Sequence, residues 1–208
     1  MARYIGPVCK LCRREQTKLF LKGEKCYTKC VLDKRDTIPG MAKPQRSKPS
    51  EYMIRLREKQ KLRRMVSMTE RPFQNLVARA SRSPGKTGEE LLKYMEVRLD
   101  NVVHRLGIAL SLKTARQLVL HGHVKVDGKT VDIPSFEVKP GNAIALDPSM
   151  RDNTNVKLSL EHAARRSSRP AFMEWNEESL AGKLVRWPAR EEMAFPVTEQ
   201  LIVEYYSK

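Results

Sequence analysis

The chain has 208 residues, 40% of them hydrophobic, and 40 Lys plus Arg against 24 Asp plus Glu give it a formal net charge of +16. That length suffices for a buried core in one to three modules, while no apolar run approaches the ~18 residues of a membrane-spanning helix and MARYIGPVCK lacks the apolar segment of a signal peptide. A soluble cytoplasmic protein with a polyanionic partner is expected, nucleic acid rather than membrane.

The charge is uneven. Successive blocks of fifty residues, the last running to the end, carry +9, +5, +2 and 0, so the polyanion is expected along the N-terminal half. All four cysteines fall in residues 1–49, as Cys9-x-x-Cys12 and Cys26-x-x-x-Cys30 with 13 residues between the pairs. Each pair can offer two thiolates from one tight turn, and the loop between lets them converge, so a tetrahedral zinc knuckle is expected. Free or redox-active thiols and an iron–sulfur cluster are the alternatives, whereas cytosolic thiols do not persist as disulfides. The surrounding loops carry Arg3, Lys10, Arg13, Arg14, Lys22, Lys29, Lys34 and Arg35, all placed to meet phosphates. Residues 36–49, DTIPGMAKPQRSKP, have no apolar period and predict an extended basic linker, with Arg46 as a further contact.

From Ser50, EYMIRLREKQKLRRMVS is dense in helix formers, with Arg55, Lys59, Arg63 and Arg64 assigned to polar, RNA-facing positions. Thr69 can cap a second helix in which Phe73, Leu76, Val77 and Ala80 form a core stripe. These helices predict a subdomain over 50–86.

Residues 87–155 predict a compact module of two helices on a small antiparallel sheet. Thr87 and Glu90 have capping-box spacing. Leu91, Leu92, Met95, Leu99, Val102, Val103 and Leu106 then recur at helical spacing to Gly107, predicting one helix. Ser111 caps a second helix that ends at Gly122. Val124, Val126 and Val131 alternate around Asp127-Gly128, a hairpin signal, and Pro140-Gly141 turns the chain into the run 143–146. On a continuous first helix Arg98, Asn101 and Arg105 share the solvent side. With Lys113, Arg116, Gln117, His121, His123 and Lys125 they predict an RNA-binding face of forked donors.

Beyond it, Val156, Leu160, Ala163 and Ala164 predict a short helix ending in Arg165 and Arg166. Phe172, Trp175, Leu180, Val185 and Trp187 are core candidates, and LIVEYY predicts a terminal strand that completes the sheet. Residues 156–208 are expected to pack back on the 50–86 subdomain. The fold class is α+β. No phosphate-cradling Gly-rich loop, nucleophile elbow or metalloprotease helix is present in the sequence, and His104, His121, His123 and His162 show no pairing with carboxylates, so neither catalysis nor a small-molecule substrate is expected.

RLDNVVHRLG, TARQLVLHGHVKVDGKTVDIPSFEVKPG and EQLIVEYYSK resemble the S-four family of small-subunit ribosomal proteins, and the likeness covers nearly the whole chain. The resemblance implies direct binding of small-subunit rRNA early in assembly. It also implies a place beside small-subunit proteins three and five where mRNA enters, and an effect on decoding accuracy. Arg98, Asn101, Arg105, Arg116, Gln117, His121 and His123 fall within the motif of the family's RNA-binding domain, and the four cysteines match its zinc-bearing bacterial group. Departures lie at 110–113, where relatives are often more basic, and in the spacing before Cys30. A modifying enzyme carrying the same module would need a catalytic domain of roughly 150 further residues. A zinc-finger DNA regulator would need a helical finger after the cysteine pairs.

Overall fold

A computed structural model describes residues 3–40, 48–166 and 169–207. Arg46 lies outside the described residues. The chain divides into two units, Met1–Leu92 with Phe195–Lys208, and Lys93–Ala194.

In the first unit, three short helices, α1 (Cys9–Glu15), α2 (Lys25–Thr28) and α3 (Val31–Lys34), are followed by α4 (Glu51–Met65) and α5 (Glu70–Ala80). Val8, Cys12, Leu19 and Leu21 form a small core that Leu11 and Met65 extend. Ser50 caps α4, its hydroxyl accepting the Met53 N–H at 3.3 Å. The stripe on α5 is realised, with Phe73, Val77 and Ala80 buried.

The expected terminal strand is instead a helix, α10 (Glu199–Tyr206), packed on α4. The run LIVEYY has strand-like composition, but a β-branched and aromatic run takes the conformation its partners select. Ile202 is fully buried and Tyr206, one helical turn on, donates its hydroxyl to Glu70 at 2.7 Å. Between them Glu204 receives Arg55 at 2.8 Å, and at the helix start the Thr198 N–H reaches Glu58 at 2.8 Å. A strand would turn alternate side chains away from these contacts.

The chain passes to the second unit along α6 (Thr87–Glu96). The single predicted helix is broken: α6 ends at Glu96, and α7 (Leu99–Arg105) begins after an extended Arg98 with ψ 139°. The cause is an exchange of hydrogen bonds with a segment distant in sequence. Leu99 N–H donates to Phe136 at 2.8 Å and Val138 N–H donates to the Val97 carbonyl at 2.9 Å, so this corner joins a strand-like segment rather than continuing the helix.

Next come α8 (Leu112–Leu120), β1 (Val124–Val126), β2 (Lys129–Thr130), β3 (Ala143–Leu146), α9 (Thr154–Arg166), β4 (Met173–Asn176) and β5 (Ala181–Leu184). Ser111 caps α8 through the Thr114 N–H at 3.3 Å. Gly107 and Gly122 follow their helices at φ +86° and +74°. Asp127 and Gly128 both have positive φ, as the predicted hairpin requires. The sheet is antiparallel throughout, in the order β2-β1-β3-β5-β4. Its core runs from Val97 to Leu184 and includes Leu106, Ile144 and Phe172. Completion of the sheet therefore falls to β4 and β5, and residues 156–194 belong to this unit. Only Phe195–Lys208 return to the first, a correction to the expected return of all of 156–208.

Candidate nucleic-acid interface

Within the first unit, Cys9, Cys12, Cys26 and Cys30 line one small cavity, together with Lys22, Lys25 and Lys29. All four thiols are free; Cys12 and Cys26 are buried. Burial pushes both of these thiols up, and the neighbouring sulfurs push the same way. The Leu19 amide at Cys12 and the Lys22 amide at Cys26, the latter 3.3 Å from Sγ, oppose that shift by favouring the thiolate. The donor set and the amides suit a soft metal in kind. Among the described residues no ready-made group of three or more His, Cys, Asp or Glu side chains around a metal position is present.

Within residues 3–35, Arg3, Lys10, Lys22, Lys29, Lys34 and Arg35 are exposed, as a phosphate-binding loop needs. Arg13 and Arg14 are partly committed to the chain itself. Arg13 donates to the Thr37 carbonyl at 2.8 Å and Arg14 to that of Pro39 at 2.9 Å, holding this stretch against α1.

The α4 cations are less available than their spacing implied. Lys59 is buried, its ammonium 2.7 Å from Glu70 and 4.6 Å from the Tyr205 ring centroid. Arg55 pairs with Glu51 and Glu204, Arg63 with Glu70, and Arg64 with the enclosed carboxylate of Glu15. Burial raises the Glu15 carboxyl, against the pull of Arg64 and Arg57. On α5, Arg71 and Arg79 are exposed opposite the Phe73 stripe, with Arg82 just beyond the helix end. Sequence reasoning passed over these three, although their position off the apolar period marks them.

In the second unit the expected solvent-side trio is turned inward. Arg98 is 8% and Asn101 5% exposed. The broken helix rotates Arg98 out of register with α7, where two buried acids receive the donors. Asp100 accepts Arg98 Nε at 3.2 Å, Arg98 Nη2 at 3.1 Å and Arg116 Nη1 at 3.0 Å. Glu96 accepts Arg105 Nε at 2.6 Å and Asn101 Nδ2 at 2.9 Å. The solvent placement of Arg98 and Asn101 is thus corrected, because each helps to satisfy a buried carboxylate beside it. Beside this network His104 is mostly enclosed, and burial, with Arg105 nearby, pushes its pKa down to about 4.

What remains outward is Gln117 and His121 on and just after α8, with His123 and Lys113 half-buried. Lys125 pairs with Asp147 at 3.1 Å. The Ser149 hydroxyl and amide, aided by Lys125, hold that carboxyl down to about 2. A cleft of about 250 Å3 opens along α8, where Gln117, His121 and His123 meet Asn153 and Asn155 at the start of α9.

The family described as Ribosomal protein S4/S9 N-terminal domain matches residues 3–96, and the S4 domain matches 97–144. The chain is 49% identical over 210 residues to the small ribosomal subunit protein uS4 of Thermus thermophilus, and 50% identical over 209 residues to that of Thermodesulfovibrio yellowstonii. It is 51% identical over 209 residues to the small ribosomal subunit protein uS4A of Symbiobacterium thermophilum. Each match covers 100% of both chains. With both domains matched in order and half of all positions shared from end to end, the chain belongs to the uS4 family of small ribosomal subunit proteins.

Proposed function

We propose that this chain is a structural component of the small ribosomal subunit in the bacterial cytoplasm, binding small-subunit rRNA directly and early in assembly. The observation that carries this reading is the end-to-end match to proteins of that name. The exposed cations of residues 3–35 support it physically, since a sequence-independent polyanion contact needs charge free to displace counterions. Within the subunit we place it beside proteins three and five, near where mRNA enters, with an influence on decoding accuracy. Co-sedimentation with small subunits through high-salt sucrose gradients tests the assignment. Recovery only in free fractions would reject it, and a footprint on purified small-subunit rRNA would locate the contact.

Zinc is proposed as the resident metal of Cys9, Cys12, Cys26 and Cys30, an iron–sulfur cluster being the lesser alternative. Support comes from four free thiols on one cavity and from amides that favour the thiolate at two of them. Bound zinc would crosslink the two pairs and hold the basic loops in place at little ordering cost. Metal analysis of purified protein distinguishes zinc from iron.

A further inference from the structure

We infer that the cleft between α8 and the start of α9 is a receptor for a single unpaired nucleobase of the bound rRNA; the inference rests on the rRNA-binding reading above. The rim is formed by Gln117, His121, His123, Asn153 and Asn155, and the floor by Ile108, Leu118 and Val156. Among the described residues no Lys, Arg, Asp or Glu lines it. A rim of amide and imidazole side chains without Lys or Arg, set over an apolar floor, suits a flat ligand with a polar edge better than a phosphate.

The three amide side chains offer donors and acceptors of the kind that read a base edge, and an imidazole offers a face on which a splayed base stacks. The two imidazoles stand with ring centroids 6.1 Å apart and planes inclined at 51°, so they do not stack on one another. Among the described residues the side chains of Gln117, His121, His123 and Asn155 make no hydrogen bond within the protein.

The walls are nevertheless fixed by backbone. His121 N–H donates to Gln117 at 3.0 Å, His123 N–H to Leu118 at 3.1 Å, and Asp147 N–H to the His123 carbonyl at 2.9 Å. On the opposite wall the Asn153 side chain accepts the Asn155 N–H at 2.9 Å while its carbonyl opens α9. A volume of about 250 Å3 lies below the ~300–1,000 Å3 of drug-sized sites, which leaves room for one base and not for a stack. The α9 wall lies outside residues 97–144, so the S4 domain alone does not complete this receptor.

The test uses full-length protein, purified small-subunit rRNA and the double variant Gln117→Ala/Asn155→Ala, both positions being exposed. Affinity is expected to fall roughly 10-fold, a modest loss for base-edge hydrogen bonds. The slope of log affinity against log salt should stay unchanged, because the double variant removes no cation from a phosphate. Chemical probing should show one unpaired base protected by the wild type and reactive with the variant. Wild-type affinity in the variant, or a weakening accompanied by a shallower salt slope, would overturn the base receptor while leaving rRNA binding intact. A wild-type protein that binds small-subunit rRNA no better than unrelated RNA would instead remove the reading on which the receptor rests.

Discussion

Asp100→Ala gives the sharpest test of the inward-turned network. The carboxylate is 2% exposed and holds two guanidiniums, Arg98 and Arg116, whose side chains are themselves only 10% and 13% exposed. Truncation opens a cavity beside both cations, removes the carboxylate they share and frees the Asn101 N–H that donated to Asp100 at 3.1 Å. Removing one partner of a buried ion pair costs about 3–5 kcal/mol, a large share of the ~5–15 kcal/mol that holds a domain folded. For a unit of this size that is a fall in Tm of roughly 10–20 °C. Both tryptophans, Trp175 and Trp187, lie in the unit Lys93–Ala194, so fluorescence during urea unfolding of the full chain reports on it directly. Asp100→Asn, which keeps shape and one acceptor, should lose less. Arg98→Ala/Arg105→Ala should lose stability as well, with no change in the salt slope of RNA binding. An Asp100→Ala protein that unfolds within about 1 kcal/mol of wild type would show that the cluster is not holding the corner. A flattened slope in the Arg98/Arg105 variant would return those side chains to the RNA.

Jointly replacing Lys22, Lys29, Lys34 and Arg35 by Ala should reduce the log–log salt slope by about 0.9 for each duplex phosphate that these side chains neutralise; an unaltered slope would clear that surface of any role. Chelation should make residues 1–35 protease-sensitive while leaving the tryptophan unfolding transition in place, and equal digestion with and without chelator would count against a structural metal. His104 has a folded pKa of about 4 against an ordinary 6.5. The unfolded chain therefore binds the proton first, and stability is intact above pH 6.5 and is lost as pH falls towards 4, by up to about 3 kcal/mol. His104→Gln should flatten urea midpoints across that window, and an unchanged pH profile would contradict the burial of a neutral imidazole. A Cβ on Gly182 would stand 2.7 Å from Leu106 Cδ2 and 3.0 Å from the Glu174 carbonyl, so Gly182→Ala should cost about 1–3 kcal/mol in urea unfolding by overpacking the sheet; wild-type stability would mean that β5 yields freely.

Features encoded within a few residues were legible. Ser111 acts through its own hydroxyl, and Gly107, Gly122 and Asp127-Gly128 through their own backbone, so spacing alone placed the caps and the hairpin. The close spacing within each cysteine pair was legible too, and the structure lines one cavity with both pairs. Arg98 and Asn101 were expected at the surface because that reading required an unbroken helix through Val97 and Arg98. The bond from Val138 N–H to Val97 comes from some forty residues away and leaves no local trace. Glu96 and Asp100 were the available warning: two acids set among Arg98 and Arg105 are as well placed to neutralise those cations as solvent is. Likewise LIVEYY carries strand propensity, and only α4 and Glu70, far back in the chain, make it a helix. Nothing in the sequence singled out Asn153 and Asn155, since the residues facing them across the cleft lie some thirty positions earlier.

The chain leaves its first unit at Leu92 and comes back to it at Phe195. A ribosome making this protein therefore synthesises the whole of Lys93–Ala194 before the helix that covers α4 exists. The inserted unit can reach its native state on the nascent chain, whereas the earlier one waits, with the α4 face that Ile202 and Tyr206 will cover open to solvent or to a chaperone. Completion of the N-terminal half is thus timed by the synthesis of α10 rather than by the order in which its own earlier residues were made.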